Sequence, residues 1–252
     1  MDNSFYMVSL LVSIGLLLGL VASMDAGFRL GKRRIARTGG EDLPSGVGAS
    51  EAAVFGLMGL LIAFTFSGAT SRFEARRHLL TEEANAIGTA YLRLDLLSAG
   101  AQPEMRRLMR AYADARAAGV HDGTDIRLQT AIWDGAQAAC RQPDAAAAAC
   151  QLALPALNEM IDITTTRAAA AKNHPPPAIY AMLVLISLVS ALLIGYSMAA
   201  NARRSWIHIL LMSASLALAI YVILDLEFPR LGLIRIDTAD WLLVEARRAM
   251  GP

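Results

Sequence analysis

The chain has 252 residues and a formal net charge of +1 at pH 7. That length allows one membrane domain with one sizeable insertion, and the balanced charge supplies no bulk basic field for nucleic acid. An apolar fraction of 55% and a charged fraction of 18% lie above and below the usual values for soluble domains and turn the reading toward lipid.

Four stretches carry no Asp, Glu, Lys or Arg: residues 4–24, 52–71, 175–201 and 205–224. A helix needs about 20 apolar residues to cross the hydrocarbon core, and each stretch reaches that length. The first is read as a retained anchor rather than a signal peptide. Its N-terminus, MDNSF, lacks a basic region, and the cluster Lys32-Arg33-Arg34 follows the apolar run. The expected fold class is therefore all-α and polytopic. Residues 1–71 form a transmembrane hairpin with spans at about 4–24 and 52–71, residues 72–174 a helical extramembrane domain, and residues 175–252 a second hairpin with spans at about 176–200 and 205–225 and a C-terminal tail.

The loop after the first span holds Arg29, Lys32, Arg33, Arg34 and Arg37, and the loop between the third and fourth spans holds Arg203 and Arg204 without an acid. Short basic loops stay in the cytoplasm. This predicts a multi-pass protein of the bacterial inner membrane with 72–174 outside the cytoplasm. Arg72, Arg76 and Arg77 argue the other way. Cys140 and Cys150 flank Pro143 in the inserted segment; a disulfide between them requires an oxidising compartment, and two free thiols on a helical hairpin is the alternative.

Within 72–172 basic and acidic residues balance, twelve of each. Phe73, Leu80, Ala84, Ile87, Tyr91 and Leu94 recur at helical spacing, so residues 52–97 read as one long helix continuing from the second span into water. Ser98-Ala99-Gly100 ends it. Pro103 and Glu104 start a second helix running to about residue 118. Residues 119–123 form a turn, a third helix covers about 124–139, and a fourth begins after Asp144 and reaches toward residue 171. Pro155 should bend or divide that fourth helix.

No catalytic constellation is visible. There is no phosphate-binding glycine loop, no His-Glu-x-x-His and no CxxC, and His78, His121, His174 and His208 are scattered. The chain is read as a non-enzyme with no cofactor and no metal site.

The spans carry more information. Gly15 and Gly19 form a GxxxG in the first. Gly56, Gly59, Ala63, Ser67 and Thr70 form a small-residue stripe on the second, and Ser187, Ala191 and Gly195 one on the third. Small residues let helices approach closely in lipid, either within one subunit or between subunits around a pore. Phe55, Ile62, Phe66 and Phe73 form a further edge of the second span. That edge faces lipid or, turned to a central axis, makes an apolar constriction. Gly15, Gly19, Gly56, Ala63 and Ser67 are thus the candidate packing residues; Phe55, Gly59, Ile62, Phe66 and Thr70 are the candidate pore-lining residues. At the end of the fourth span Asp225 and Glu227 form an acidic cluster that needs solvent or a partner. Pro229 ends regular helix there. Arg72, Arg76, Arg77 or Arg230 can pair with the acids, and ion binding is the other reading.

Two runs, GLMGLLIAFTFSGATSRFEARRHLLTEEANAIGTAYLRLDLL (56–97) and LDLEFPRLGLIRI (224–236), resemble the signature blocks of the bestrophin-like family, bacterial four-span membrane proteins distantly similar to the bestrophin anion channels. The resemblance covers both blocks and the arrangement of spans between them. It implies a homo-oligomer, pentameric by family analogy, that conducts ions, with anions favoured and the second span lining the pore. Its partners are then further copies of itself, the lipid bilayer and the conducted ions. Bestrophins carry their bulk in the cytosol, and the orientation read above departs from that pattern. A non-conducting membrane scaffold or sensor that uses its extramembrane helices for protein contacts is the rival reading.

Overall fold

A computed structural model describes residues 3–38, 47–119, 123–200, 205–229, 233–236 and 240–251, with the side chains of 3–10 and 47 outside that description. Arg203, Arg204, Arg230 and His121 therefore lie outside the described residues. Among the described residues eight α-helices follow in chain order: α1 (Asn3–Arg37), α2 (Val47–Arg93), α3 (Gln102–Ala117), α4 (Thr124–Cys140), α5 (Ala147–Lys172), α6 (Pro177–Met198), α7 (Trp206–Glu227) and α8 (Trp241–Ala249). A 3-10 turn, Leu94–Leu96, closes α2. No strand occurs among the described residues. The chain is an all-α membrane protein with four helical stretches long and apolar enough to cross a bilayer, found in α1, α2, α6 and α7.

Two compact units divide the chain. The first comprises Met1–Phe73 and His174–Arg235, the second Glu74–Asn173 and Ile236–Pro252. The residues from Ile236 onward group with the inserted segment.

The core of the first unit is drawn from all four span helices. Leu16, Leu20 and Met24 of α1, Met58 of α2, Ala191 and Ile194 of α6, and Ile209, Leu216, Ala217 and Ile220 of α7 form one buried cluster. Their spacings of three, four and seven place each set on one helix face. Leu11, Leu18, Phe64, Leu185, Leu211 and Leu218 remain exposed, as expected of surface solvated by lipid rather than water.

The closest helix approach is between α1 and α6. A Cβ added at Gly27 would fall into the backbone carbonyl of Leu192, one at Gly195 into the carbonyl of Met24, and one at Gly31 against the Ala199 methyl. Gly27 and Gly31 form a second GxxxG that the sequence reading passed over. The charge-free criterion stopped the first span at residue 24, whereas the helix continues to Arg37. Asp25 pairs with Arg29 one turn on, at 2.6 Å, which lessens the cost of carrying a carboxylate past that point. Of the first motif, Gly19 meets only Leu188 Cδ2 at 3.4 Å and Gly15 meets nothing within 4 Å.

In the second unit the periodic residues of α2 are inward-facing: Leu80, Ala84, Ile87, Tyr91 and Leu94 are all buried. They join a core that includes Met105, Met109 and Tyr112 of α3, Ile132 of α4, and Leu157 and Met160 of α5. Burial pushes the Tyr112 phenol up, keeping it neutral, and Gln129 Nε2 donates to its oxygen at 3.2 Å. One charged group sits in this interior. Glu83 is wholly buried and is held by Arg116 Nε at 2.6 Å and by Arg167, while Arg116 Nη1 also reaches Asp125 at 3.0 Å. Two arginines around one buried carboxylate join α2, α3 and α5, which is the condition for keeping such a charge out of water.

Pro155 does not divide α5, which runs from Ala147 to Lys172. A proline removes one i→i−4 bond, and the neighbouring turn is held from outside. Arg93 Nη1 donates to the Leu152 carbonyl at 2.8 Å, and Ala153, Ala156 and Leu157 are buried. Cys140, at the end of α4, and Cys150, in the first turn of α5, are joined by a disulfide across a Cα–Cα distance of 5.9 Å. The C-terminal helix α8, absent from the sequence reading, is tied into the same unit. Tyr91 Oη donates to the Met250 carbonyl at 2.8 Å, and Arg247 Nε pairs with Asp114 at 2.8 Å.

The α1–α6 approach generates a test. Gly195→Leu drives side-chain atoms into the α1 backbone and is expected to destabilise the protein by about 1–3 kcal/mol or more. Gly15→Leu, whose Cβ meets no neighbour within the chain, is expected to leave the thermal unfolding midpoint in detergent unchanged. Equal midpoints for the two variants would contradict the packing described.

Candidate functional site

The second helix carries the features that the sequence singled out. Within the first unit it is fastened to its own chain along one face only. Near its start, Ser197 Oγ on α6 donates to Glu51 Oε2. Near the end of its span, Arg72 Nε donates to Glu227 Oε1 on α7 at 2.8 Å, and Nη2 reaches the same oxygen. Glu51 and Arg72 are 21 residues apart in sequence, which spans roughly 30 Å of helix. That is the thickness of a bilayer core, so polar fastenings bracket the apolar length of the helix. Between them Met58 is buried in the four-helix cluster, and Phe55 and Ile62 pack against it.

The expected pore row therefore separates. Phe55 and Ile62 are turned toward the core of their own chain, while Phe66 is 45% exposed. Phe55, Met58 and Ile62 lie three and four residues apart and share a face. Phe66, four residues after Ile62, stands at the border of that face, on the side of Gly59, Ala63 and Thr70, and is exposed. Gly56, Gly59, Ala63 and Ser67 are all exposed, and Thr70 is half-buried. A Cβ at Gly56 or Gly59 would meet nothing within 4 Å. These glycines make no room for any part of their own chain, in contrast to Gly27, Gly31 and Gly195. A third face, Leu57, Leu60 and Phe64, is large, apolar and exposed.

At the foot of this helix lies the acidic cluster. Glu227 has no exposed surface and Asp225 very little. The two acids have different partners. Glu227 takes Arg72, and His174 Nδ1 lies 3.5 Å from its other oxygen. The His174 ring stacks on Phe228, with centroids 4.6 Å apart. Asp225 pairs with no arginine among the described residues. Its two oxygens accept the backbone N–H groups of Leu233 and Ile234, at 2.9 and 2.7 Å. Helix α7 ends at Glu227, just ahead of Pro229, and the backbone of 233–234 is thereby brought to the Asp225 carboxylate. A carboxylate accepting two backbone N–H groups is satisfied without a cation.

Arg76 also differs from expectation. Its guanidinium donates to the carbonyls of Ala170 and Asn173 at 3.1 and 2.9 Å, capping the C-terminal end of α5 where unpaired carbonyls gather. Arg77 pairs with Glu74. His174 is the member of the cluster that sequence reasoning missed. It sits directly before the proline run of the third span, and spacing alone cannot relate it to an acid more than fifty residues away.

No group of His, Cys, Asp and Glu suited to hold a metal ion occurs among the described residues. The acids of the cluster are engaged by Arg72 and by the backbone N–H groups of Leu233 and Ile234.

Four apolar helices, a helical insertion and a span braced at both ends define a polytopic helical membrane protein. The chain belongs to the Bestrophin-like family, whose domain it matches over residues 26–240. Its fold is similar to crystal structures of a bacterial bestrophin homologue from Klebsiella pneumoniae. One variant of that protein matches with a TM-score of 0.73 at 14% identity, over 94% of this chain and 97% of that one. A second variant gives 0.71 at 14% identity, over 93% and 98%. Comparison with curated protein sequences gives no match.

The two acids should respond differently to loss of charge. Glu227→Gln leaves Arg72 without its counter-charge and is expected to cost about 3–5 kcal/mol, the range for breaking a buried pair. Asp225→Asn retains one acceptor for two N–H groups and is expected to cost about 1–3 kcal/mol. Thermal unfolding in detergent ranks them, and Asp225→Asn should leave ion preference unaltered. A change in selectivity with stability intact would move Asp225 from a structural to an ion-binding role.

Proposed function

We propose that the chain assembles into a homo-oligomeric ion channel in which α2 is the helix nearest the axis. The observation that carries this reading is the free small-residue face of α2. Gly56, Gly59, Ala63 and Ser67 are exposed on a span helix, and the glycines meet nothing in their own chain. In lipid such a face serves close approach by another helix, and the neighbour available in every membrane that holds this chain is a second copy. A helix with one face fastened inward and a second face reserved for a neighbour stands at a subunit boundary. Phe66 and Thr70 lie along the edge of that boundary and are the residues assigned to the pore, Phe66 as an apolar constriction. Phe55 and Ile62 pass from pore lining to packing. Anion conduction and five subunits rest on the family likeness to bestrophins.

The membrane orientation proposed has the inserted segment outside the cytoplasm. The Cys140–Cys150 disulfide supports it, because such bonds persist in oxidising compartments. The arginines that argued against it have structural partners: Arg72 with Glu227, Arg76 with the end of α5, Arg77 with Glu74. Arg33, Arg34 and Arg37 have no acidic partner among the described residues.

Two measurements test these statements. Gly59→Leu is expected to reduce the mass of the detergent-solubilised assembly, while Phe66→Ala preserves the mass and raises conductance in planar bilayers. A wild-type assembly that never conducts would leave a membrane scaffold; a monomer would remove the pore altogether. For orientation, single cysteines at Thr38 and Ala99 in a background lacking Cys140 and Cys150 are expected to label differently with an impermeant maleimide on intact cells, at Ala99 only. Labelling at Thr38 alone, with two free thiols in wild-type protein purified without reductant, reverses the orientation.

A further inference from the structure

Helix α1 continues beyond its apolar run and carries Arg33, Arg34 and Arg37 alongside the C-terminal part of α6. There the two helices border a cavity of about 790 Å³. The three arginines line one side of it, and Leu192, Leu193 and Tyr196 line the other. None of the three arginines pairs with an acid among the described residues. Two other cations of the same stretch are engaged elsewhere and do not line the cavity: Arg29 pairs with Asp25, and Lys32 lies over the Phe28 ring at 5.6 Å. The separation is orderly. Arg29 and Lys32, which have local partners, do not line the cavity, and the cations that have no acidic partner among the described residues do.

Three like charges held together repel one another unless an anion lies between them. Guanidinium groups suit phosphate because their paired N–H donors match its oxygens. The apolar wall suits hydrocarbon, and the volume exceeds what a single inorganic anion fills. The site stands at the end of a span helix, where lipid headgroups lie. The geometry points to a binding site for a phosphate-bearing anion, presented as the headgroup of an anionic phospholipid with an acyl chain against Leu192, Leu193 and Tyr196. This goes beyond channel assembly and does not depend on it, since α2 contributes nothing to the cavity.

The test uses the purified full chain and native mass spectrometry with phosphatidylglycerol, phosphatidylcholine and inorganic phosphate as separate probes. The wild type is expected to retain phosphatidylglycerol in preference to phosphatidylcholine. Arg33→Gln, Arg34→Gln and Arg37→Gln are each expected to lower that retention about fivefold, the effect of one basic residue near an anionic lipid. Lys32→Gln removes a charge from the same turn outside the cavity and is expected to leave retention unchanged. Arg33, Arg34 and Arg37 are exposed, and an unaltered unfolding midpoint for the triple variant confirms that the fold is kept. If millimolar phosphate alone displaces the lipid through the same arginines, the phosphate site stands and its occupant is the free ion. A triple variant that retains lipid as the wild type does overturns the proposal, as does a Lys32→Gln loss equal to that of Arg34→Gln, which would mean diffuse charge attraction. No conductance is read, so failure here and failure of the channel reading are distinguishable.

Discussion

A carboxylate without exposed surface at the end of an apolar helix must find a cation or lose its charge, and Glu227 finds Arg72. That pair links two segments 155 residues apart in sequence, and it joins the second span to the fourth. Beside it, α2 holds to the other spans through the Glu51–Ser197 bond and the packing of Phe55, Met58 and Ile62, and together these contacts fix its angular setting about its own axis. The setting decides which residues face inward. With Arg72 placed on α7, Phe55, Met58 and Ile62 turn toward the core, and Gly56, Gly59 and Ala63 are left outside. The electrostatic requirement of one acid thus helps determine which face of α2 is left outside the four-helix core.

The glycines of the spans divide by the same logic. Gly27, Gly31 and Gly195 sit where backbone meets backbone, and any side chain there would overlap a neighbouring helix. They hold α1 and α6 together by close packing, which in lipid takes the place of the hydrophobic drive. Gly56 and Gly59 look alike in sequence but have no neighbour in the chain. A residue without a side chain on an exposed helix lowers intrinsic helix stability by up to about 1 kcal/mol relative to alanine. Neither glycine makes room for any part of its own chain.

Outside the spans, charge is handled by saturation. Glu83 is enclosed by two arginines, Arg76 closes the end of α5, and Arg247 meets Asp114. Each interaction joins helices that are distant in sequence, and each withdraws an arginine from the surface. The arginines at the end of α1 are the contrast, since they gather beside an apolar wall with no acidic partner among the described residues. Structural and available charge are therefore separable by partner, although the side chains are chemically identical.

Much of this was legible in the sequence because the governing physics is local. Four uncharged runs of about twenty residues can only be helices in a bilayer, since backbone groups there have no water to bond. The 3.6-residue recurrence of Leu80, Ala84, Ile87, Tyr91 and Leu94 marked the buried face of α2 correctly, because helix periodicity is written residue by residue. The meeting of an arginine after the second span with an acid after the fourth was also accessible, since both were charges at span ends in need of partners. What remained hidden was pairwise and long-range. Which of Asp225 and Glu227 would take the arginine depended on where the backbone of 233–234 passed. Which GxxxG would be used depended on α1 remaining helical beyond Asp25. Whether Phe55 and Ile62 faced a pore or a core depended on the rotation of α2, which Arg72 and Glu227 set together. A sequence specifies the faces of a helix; only the packed neighbours decide which face points where, because that choice minimises the burial of unpaired charge and of void over the whole unit, not over any one segment.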